Sequence, residues 1–80
     1  MMRRFYIVFY YSGNKHYDIP KIIHDTNAGI DVNMENLDLI GSFKEVAAYT
    51  ISNLYNVEES EISYKDIAIL NFFDLGEYTK

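Results

Sequence analysis

His16, Asp18, His24 and Asp25 are the residues of this 80-residue chain whose types could hold a metal ion, since imidazole and carboxylate are common ligands. Their spacing argues against a shared site. On an extended strand the two histidines would stand roughly 26 Å apart, from the rise per residue, whereas one ion gathers its ligands within about 2 Å of itself. They read instead as exposed edge-strand residues that discourage edge-to-edge pairing. Glu58, Glu59 and Glu61 could act as an acid and base only if an apolar pocket raised one pKa, and "EESE" reads as a solvated loop. The chain has no cysteine, and none of its serines sits in a Gly-x-Ser-x-Gly elbow. Gly13, Gly29, Gly41 and Gly76 are too scattered to cradle a phosphate. These residues assign no catalytic, cofactor or metal site, and no enzyme activity is expected.

The residues that dominate the chain are aromatic: eight tyrosines and five phenylalanines, with no tryptophan. Tyrosine joins a large apolar ring to a polar tip and so suits a surface that is buried only part of the time. Net charge is −5 and unevenly spread. Arg3, Arg4, Lys15 and Lys21 face only Asp18 in the first 24 residues, and the remainder is strongly acidic. An acidic chain is a poor nucleic-acid binder, because lysine and arginine supply most of the non-specific affinity for phosphate. Tyr6 and Tyr10 with Arg3, Arg4 and Lys15 could still make a stacking sheet with a basic rim, a reading that ranks below protein binding. The acidic part suits a basic protein surface, toward which Glu58, Glu59 and Glu61 would steer it, and it also keeps a tyrosine-rich chain dissolved.

These side chains must be positioned by few elements. Residues 1–80 are expected to form one small domain that buries only roughly 60–65% of its unfolded surface. Without cysteine, disulfides cannot supplement that core, which leaves association as the remaining source of stability. "RRFYIVFYY" predicts a strand from Arg4 to Tyr11, with Phe5, Ile7, Phe9 and Tyr11 on the core face and Tyr6, Val8 and Tyr10 on the other. A turn over residues 12–15 leads to a second strand over 16–26, which Pro20 breaks or assigns to the sheet edge. "IDVN" alternates well enough for a short extra strand. Leu37, Leu39 and Ile40 are expected to tuck beneath a helix that begins with a Ser42–Glu45 capping box and ends near Tyr55 or Asn56. Phe43, Val46, Ala47, Thr50, Ile51 and Leu54 form its apolar stripe, with Lys44, Ser52 and Asn53 toward solvent. A last strand over 65–75 places Ile67, Ile69, Asn71 and Phe73 on one face and Ala68, Leu70 and Phe72 on the other.

The expected fold is α+β: a ββαβ domain with a mainly antiparallel three-stranded sheet in the order 2-1-3 and one helix on one face. The second face of the sheet then has no cover, and an aromatic patch of that kind marks an interface. Tyr6, Tyr10, Tyr11 and Phe72 are the expected hydrophobic contacts. The opening "MMRRFYIVFYY" imitates a signal peptide, but its apolar run is short and lacks a small-residue cleavage site. No segment is long enough for a transmembrane helix. A soluble, cytoplasmic protein without membrane contact is expected.

Taken together, "RRFYIVFYYSGNK", the central capped helix and the closing "DIAILNFFDLGEY" resemble small accessory proteins of phages that infect low-GC Gram-positive bacteria. The group carries no diagnostic catalytic or ligand motif, so the resemblance assigns no residue a role. It implies a phage protein acting in the host cytoplasm that binds and blocks a host protein, as anti-CRISPR and other anti-defence inhibitors do. The expectation is therefore a protein-binding module that inhibits a host defence protein. The alternative is a structural homo-oligomer, a homodimer in the simplest case, that closes the aromatic face on itself.

Overall fold

β1 (Met2–Tyr11) is paired along both of its edges, and the rest of the chain is arranged around it. The computed structural model describes residues 2–26, 29–33, 35 and 38–78. Four further elements follow β1: β2 (Ile22–Asp25), β3 (Ile30–Asn33), α1 (Leu39–Tyr55) and β4 (Ile67–Tyr78). β4 lies antiparallel along one edge of β1, from Tyr11 opposite Ile67 to Met2 opposite Tyr78. On the other edge β2 pairs with Val8–Tyr11 and β3 with Met2–Phe5, both antiparallel. Thr26 bridges the interval: its amide donates to the Ile7 carbonyl at 3.1 Å and its hydroxyl accepts from the Ile7 amide at 3.4 Å. The result is an α+β fold with a four-stranded antiparallel sheet and one helix on one face. The expected order holds, with the last strand as the third row and "IDVN" found as β3.

The second strand is much shorter than expected. Asn14 accepts through Oδ1 from the amides of His16 and Tyr17, at 2.9 and 3.3 Å, and starts a 3-10 turn over Lys15–Tyr17. A local side-chain partner of this kind competes directly with a strand ladder. Asp18 then turns through the left-handed region at φ 56°, and paired Asn14 and Ile19 backbones close the loop. Ile19 is buried as the anchor of that loop, and pairing resumes only after Pro20.

The helix starts four residues earlier than the Ser42 box predicts. Asp38 is the N-cap, and its Oδ1 accepts from the Gly41 amide at 2.8 Å. A Cβ on Gly41 would stand 2.1 Å from that carboxylate, so the cap closes over the one side chain that is absent. Ser42 lies inside the first turn and donates its hydroxyl to the Asp38 carbonyl. Ile40 is consequently exposed, Leu39 packs beside the core, and Leu37 lies outside the described residues. Asn56 ends the helix in the left-handed conformation, with its amide and that of Val57 bonded to the Ser52 carbonyl. The buried stripe is Phe43, Ala47, Ala48, Ile51 and Ser52, so Ser52 faces inward and Leu54 outward, the reverse of the expectation.

Phe5, Ile7, Phe9 and Tyr11 are all buried beneath this stripe, as the alternation requires. One part of the core joins Phe9 and Tyr11 to Ala47, Ala48, Ile51, Ile62 and Ile67. The other joins Phe5 and Ile7 to Val32 and Phe43. β4 departs from regular alternation at two bulges. Val8 faces Asn71 but Phe9 faces Ile69, so Leu70 is an extra residue; Leu75 is another between Asp74 and Gly76. Gly76 has φ +106°, which a residue with a side chain would rarely adopt.

Candidate interaction surfaces

The face of the sheet opposite α1 is built by the residues that alternate with the core. β1 supplies Arg4, Tyr6, Val8 and Tyr10 in a row along the middle. Tyr10 lies between Ile23 and Ala68, Val8 between Asp25 and Asn71, and Tyr6 beside Phe73. The Tyr6 and Phe73 rings stand 6.0 Å apart, and among the described residues no element covers them. Ile23 is 68% exposed and Phe73 49%, whereas Tyr6, Val8 and Tyr10 are half-buried by their cross-strand neighbours. The Tyr6 hydroxyl donates to Asp25 Oδ2 at 2.7 Å. That hydrogen bond, then burial and the carboxylate's charge, pushes the Tyr6 phenol above its ordinary pKa. The ring is thereby tethered at its polar tip to β2.

Two of the expected contact residues are elsewhere. Tyr11 is fully buried in the core, so it cannot meet a partner; its position in the alternation with Phe5, Ile7 and Phe9 already required this. Burial pushes its phenol pKa up, and its buried hydroxyl has no hydrogen-bond partner among the described residues. Phe72 lies on the helix side, 5.2 Å from Phe43 and 6.2 Å from Phe5, because the extra residue at Leu70 shifts the phase of the strand, and it is still 43% exposed there. Phe73 takes its place on the open face. Strict alternation offered no sign of that exchange. The one local cue is Asn71, whose side chain accepts from the next amide at 2.8 Å, a bond that suits an interrupted ladder.

Two of the three cations of the basic rim read from the sequence, Arg3 and Arg4, are paired within the chain. Arg3 pairs with Asp74 at 2.9 Å, and Arg4 with Asp31 at 2.8 Å. The Arg3 hydrogen bond and the Gly76 amide hold the Asp74 carboxyl below the usual 3.8. This removes the strongest support for a phosphate-binding face. His16 stands edge-on to Tyr17 at 4.6 Å in the 3-10 turn, whereas His24 lies over Phe9 from β2. Among the described residues no three histidine, aspartate or glutamate side chains converge as metal ligands would.

Glu58, Glu59 and Glu61 follow the end of α1, the last two in a second 3-10 turn, Glu59–Glu61. With Tyr17, Tyr49 and Ser52 they line an open groove of about 530 Å³ on the helix side of the sheet. Burial and the Glu61 carboxylate push the Tyr17 phenol above its ordinary pKa. Tyr64 is shifted the same way, by burial and by the charges of Glu45 and Glu59. Among the described residues no helix is long and apolar enough to cross a membrane. No family model matches the chain, and neither does any curated protein or solved structure.

Proposed function

We propose that the chain is a non-enzymatic protein-binding module that docks a partner on the open face of its sheet. The observation that carries this reading is the uncovered band of Tyr6, Val8, Tyr10, Ile23 and Phe73, bounded at one end by the Arg4–Asp31 pair. A contiguous apolar surface with aromatic residues inside and charges around it is the anatomy of a protein interface. Tyr6, tethered at its tip to Asp25, is ready to bind, since less rotamer freedom remains to be lost. The sequence resemblance supplies the biological setting: a phage accessory protein that occludes a host protein, with a basic surface on the target to match the acidic remainder of the chain.

The test is capture from the lysate of a low-GC Gram-positive bacterium, with tagged wild type beside the Tyr6→Ser/Tyr10→Ser chain and the bound masses identified. The reading predicts a host protein held by wild type and lost with the variant. Equal capture by both chains would refute docking on this face. The second reading, self-association, is favoured by the small core and by the same uncovered face. It predicts that the wild type alone doubles in mass as its concentration rises, without any host protein.

A further inference from the structure

We propose that the cavity in the loop between β1 and β2 binds the phosphate group of a small phosphate monoester. The cavity has a volume of about 330 Å³, and Ser12, Gly13, Lys15 and Lys21 are among the residues that line it. Its charge is opposite to that of the chain. The protein carries a net charge of −5 and pairs both of its arginines with aspartates. Lys15 and Lys21, by contrast, form no ion pair with any described residue. Both are exposed, and Asp18, the acidic residue of the same loop, does not line the cavity. Two lysines and no carboxylate therefore border one concave site.

The backbone supplies donors that are independent of the lysine side chains. The amides of Gly13, Lys15 and Lys21 donate to no described residue, so three donors of the lining residues are left to solvent or to a ligand. The site is also held in shape before any ligand arrives. The Asn14 and Ile19 amides donate to each other's carbonyls at 2.8 Å, Ile19 is anchored in the core, and Asp18 turns at φ 56°. At Gly13, where φ is +93°, an added Cβ would stand 2.9 Å from the Ile19 carbonyl, so glycine is required for this closure. A preformed site loses little freedom on binding. The donors then select the ligand. Lysine acts on phosphate as a point charge and needs no glycine-rich loop to do so. Two lysines match the nearly dianionic phosphate monoester at neutral pH, whereas a carboxylate would answer only one of them. Ser12 adds a hydroxyl donor. The acidic remainder of the chain repels a polyanion, which favours a small molecule over a nucleic-acid backbone.

The experiment is a proton–nitrogen correlation NMR titration of the full chain at neutral pH and constant ionic strength. The probes are glycerol phosphate, acetate and a short oligothymidylate. Saturating shifts centred on residues 12–21 are expected with glycerol phosphate, which should bind about tenfold more tightly than acetate. Lys15→Gln and Lys21→Gln change exposed side chains and leave the core intact. Each should weaken glycerol phosphate by about threefold or more. Lys44→Gln makes the same change of charge on α1 and should leave the affinity unchanged. Shifts that do not saturate, acetate as tight as the monoester, or equal weakening by the loop and α1 variants would overturn the proposal. An oligothymidylate held more tightly than the monoester would overturn it as well. Tyr6 and Tyr10 take no part in this titration, so either result leaves docking on the sheet face to its own test.

Discussion

Two side chains decide local structure in ways that can be measured one residue at a time. Ser42 and Asp38 are both acceptable helix caps by type. Asp38 takes the position because its carboxylate reaches the Gly41 amide, and Gly41 has no Cβ to keep it away. Asp38→Ala should therefore lower stability by about 1 kcal/mol, while Ser42→Ala changes it by less than about 0.5 kcal/mol; urea unfolding followed by circular dichroism compares them, and the opposite ranking would restore the Ser42 box. Tyr6 offers a second measurement. Its folded-state pKa lies above the unfolded 10.0 because the phenol donates to Asp25. The tether is thus fully effective below that pH and is lost as pH rises through the higher folded value. Phenolate absorbance should show a tyrosine in Asp25→Asn that titrates earlier than in wild type, and superimposable titrations would mean that the bond does not form. For Asp74 the sign is reversed. Its folded pKa lies below 3.8, so its contribution is present above that value and disappears on further acidification.

At the scale of elements, much was legible in the sequence and the remainder failed for identifiable reasons. Which β1 residues share a face follows from alternation alone, and the larger aliphatic and phenyl set, Phe5, Ile7, Phe9 and Tyr11, is the buried one. The helix and its end near Tyr55 or Asn56 could be placed from its apolar spacing, but its start and the rotation of its buried stripe could not. The start rests on a carboxylate crossing over a glycine, and the rotation on which of two neighbouring rows meets the sheet. The second strand was overextended because Asn14 supplies bonds that alternation does not register. Phe72 and Phe73 exchanged faces because a bulge is invisible to a period of two. Tyr6 and Tyr10 therefore lie on the open face as alternation requires, Tyr11 lies in the core, and the β4 faces are shifted by one residue. Hydrogen exchange tests the arrangement. Protected amides should run consecutively through β1, which is paired at both edges, and should alternate in β4, whose far edge has no partner among the described residues. Consecutive protection in β4 would mean that another strand adds at that edge; the two bulges are the device that should discourage it.

The whole molecule is an elongated body, 40 × 20 × 19 Å, with a core on one side of its sheet and an aromatic surface on the other. The two sides do different work. Phe5, Phe43 and Phe72 form a three-ring cluster that fastens the helix to the sheet, with Phe5 and Phe43 centroids 5.1 Å apart. Tyr6, Tyr10 and Phe73 lie on the face opposite that core, the face on which docking is proposed. The acidic groove lies on the helix side, so a partner meeting both surfaces must reach around an edge of the domain or engage two copies of the chain. The most direct test of the central claim is a photo-crosslinking amino acid placed at position 10 of the open face, with a second chain carrying it at position 53 on the exposed side of α1. Both chains would be expressed in a low-GC Gram-positive host and irradiated. A covalent adduct heavier by one host protein from position 10, and none from position 53, is the predicted result. No adduct from position 10, equal adducts from both positions, or an adduct of twice the chain's own mass would contradict docking of a host protein on this face.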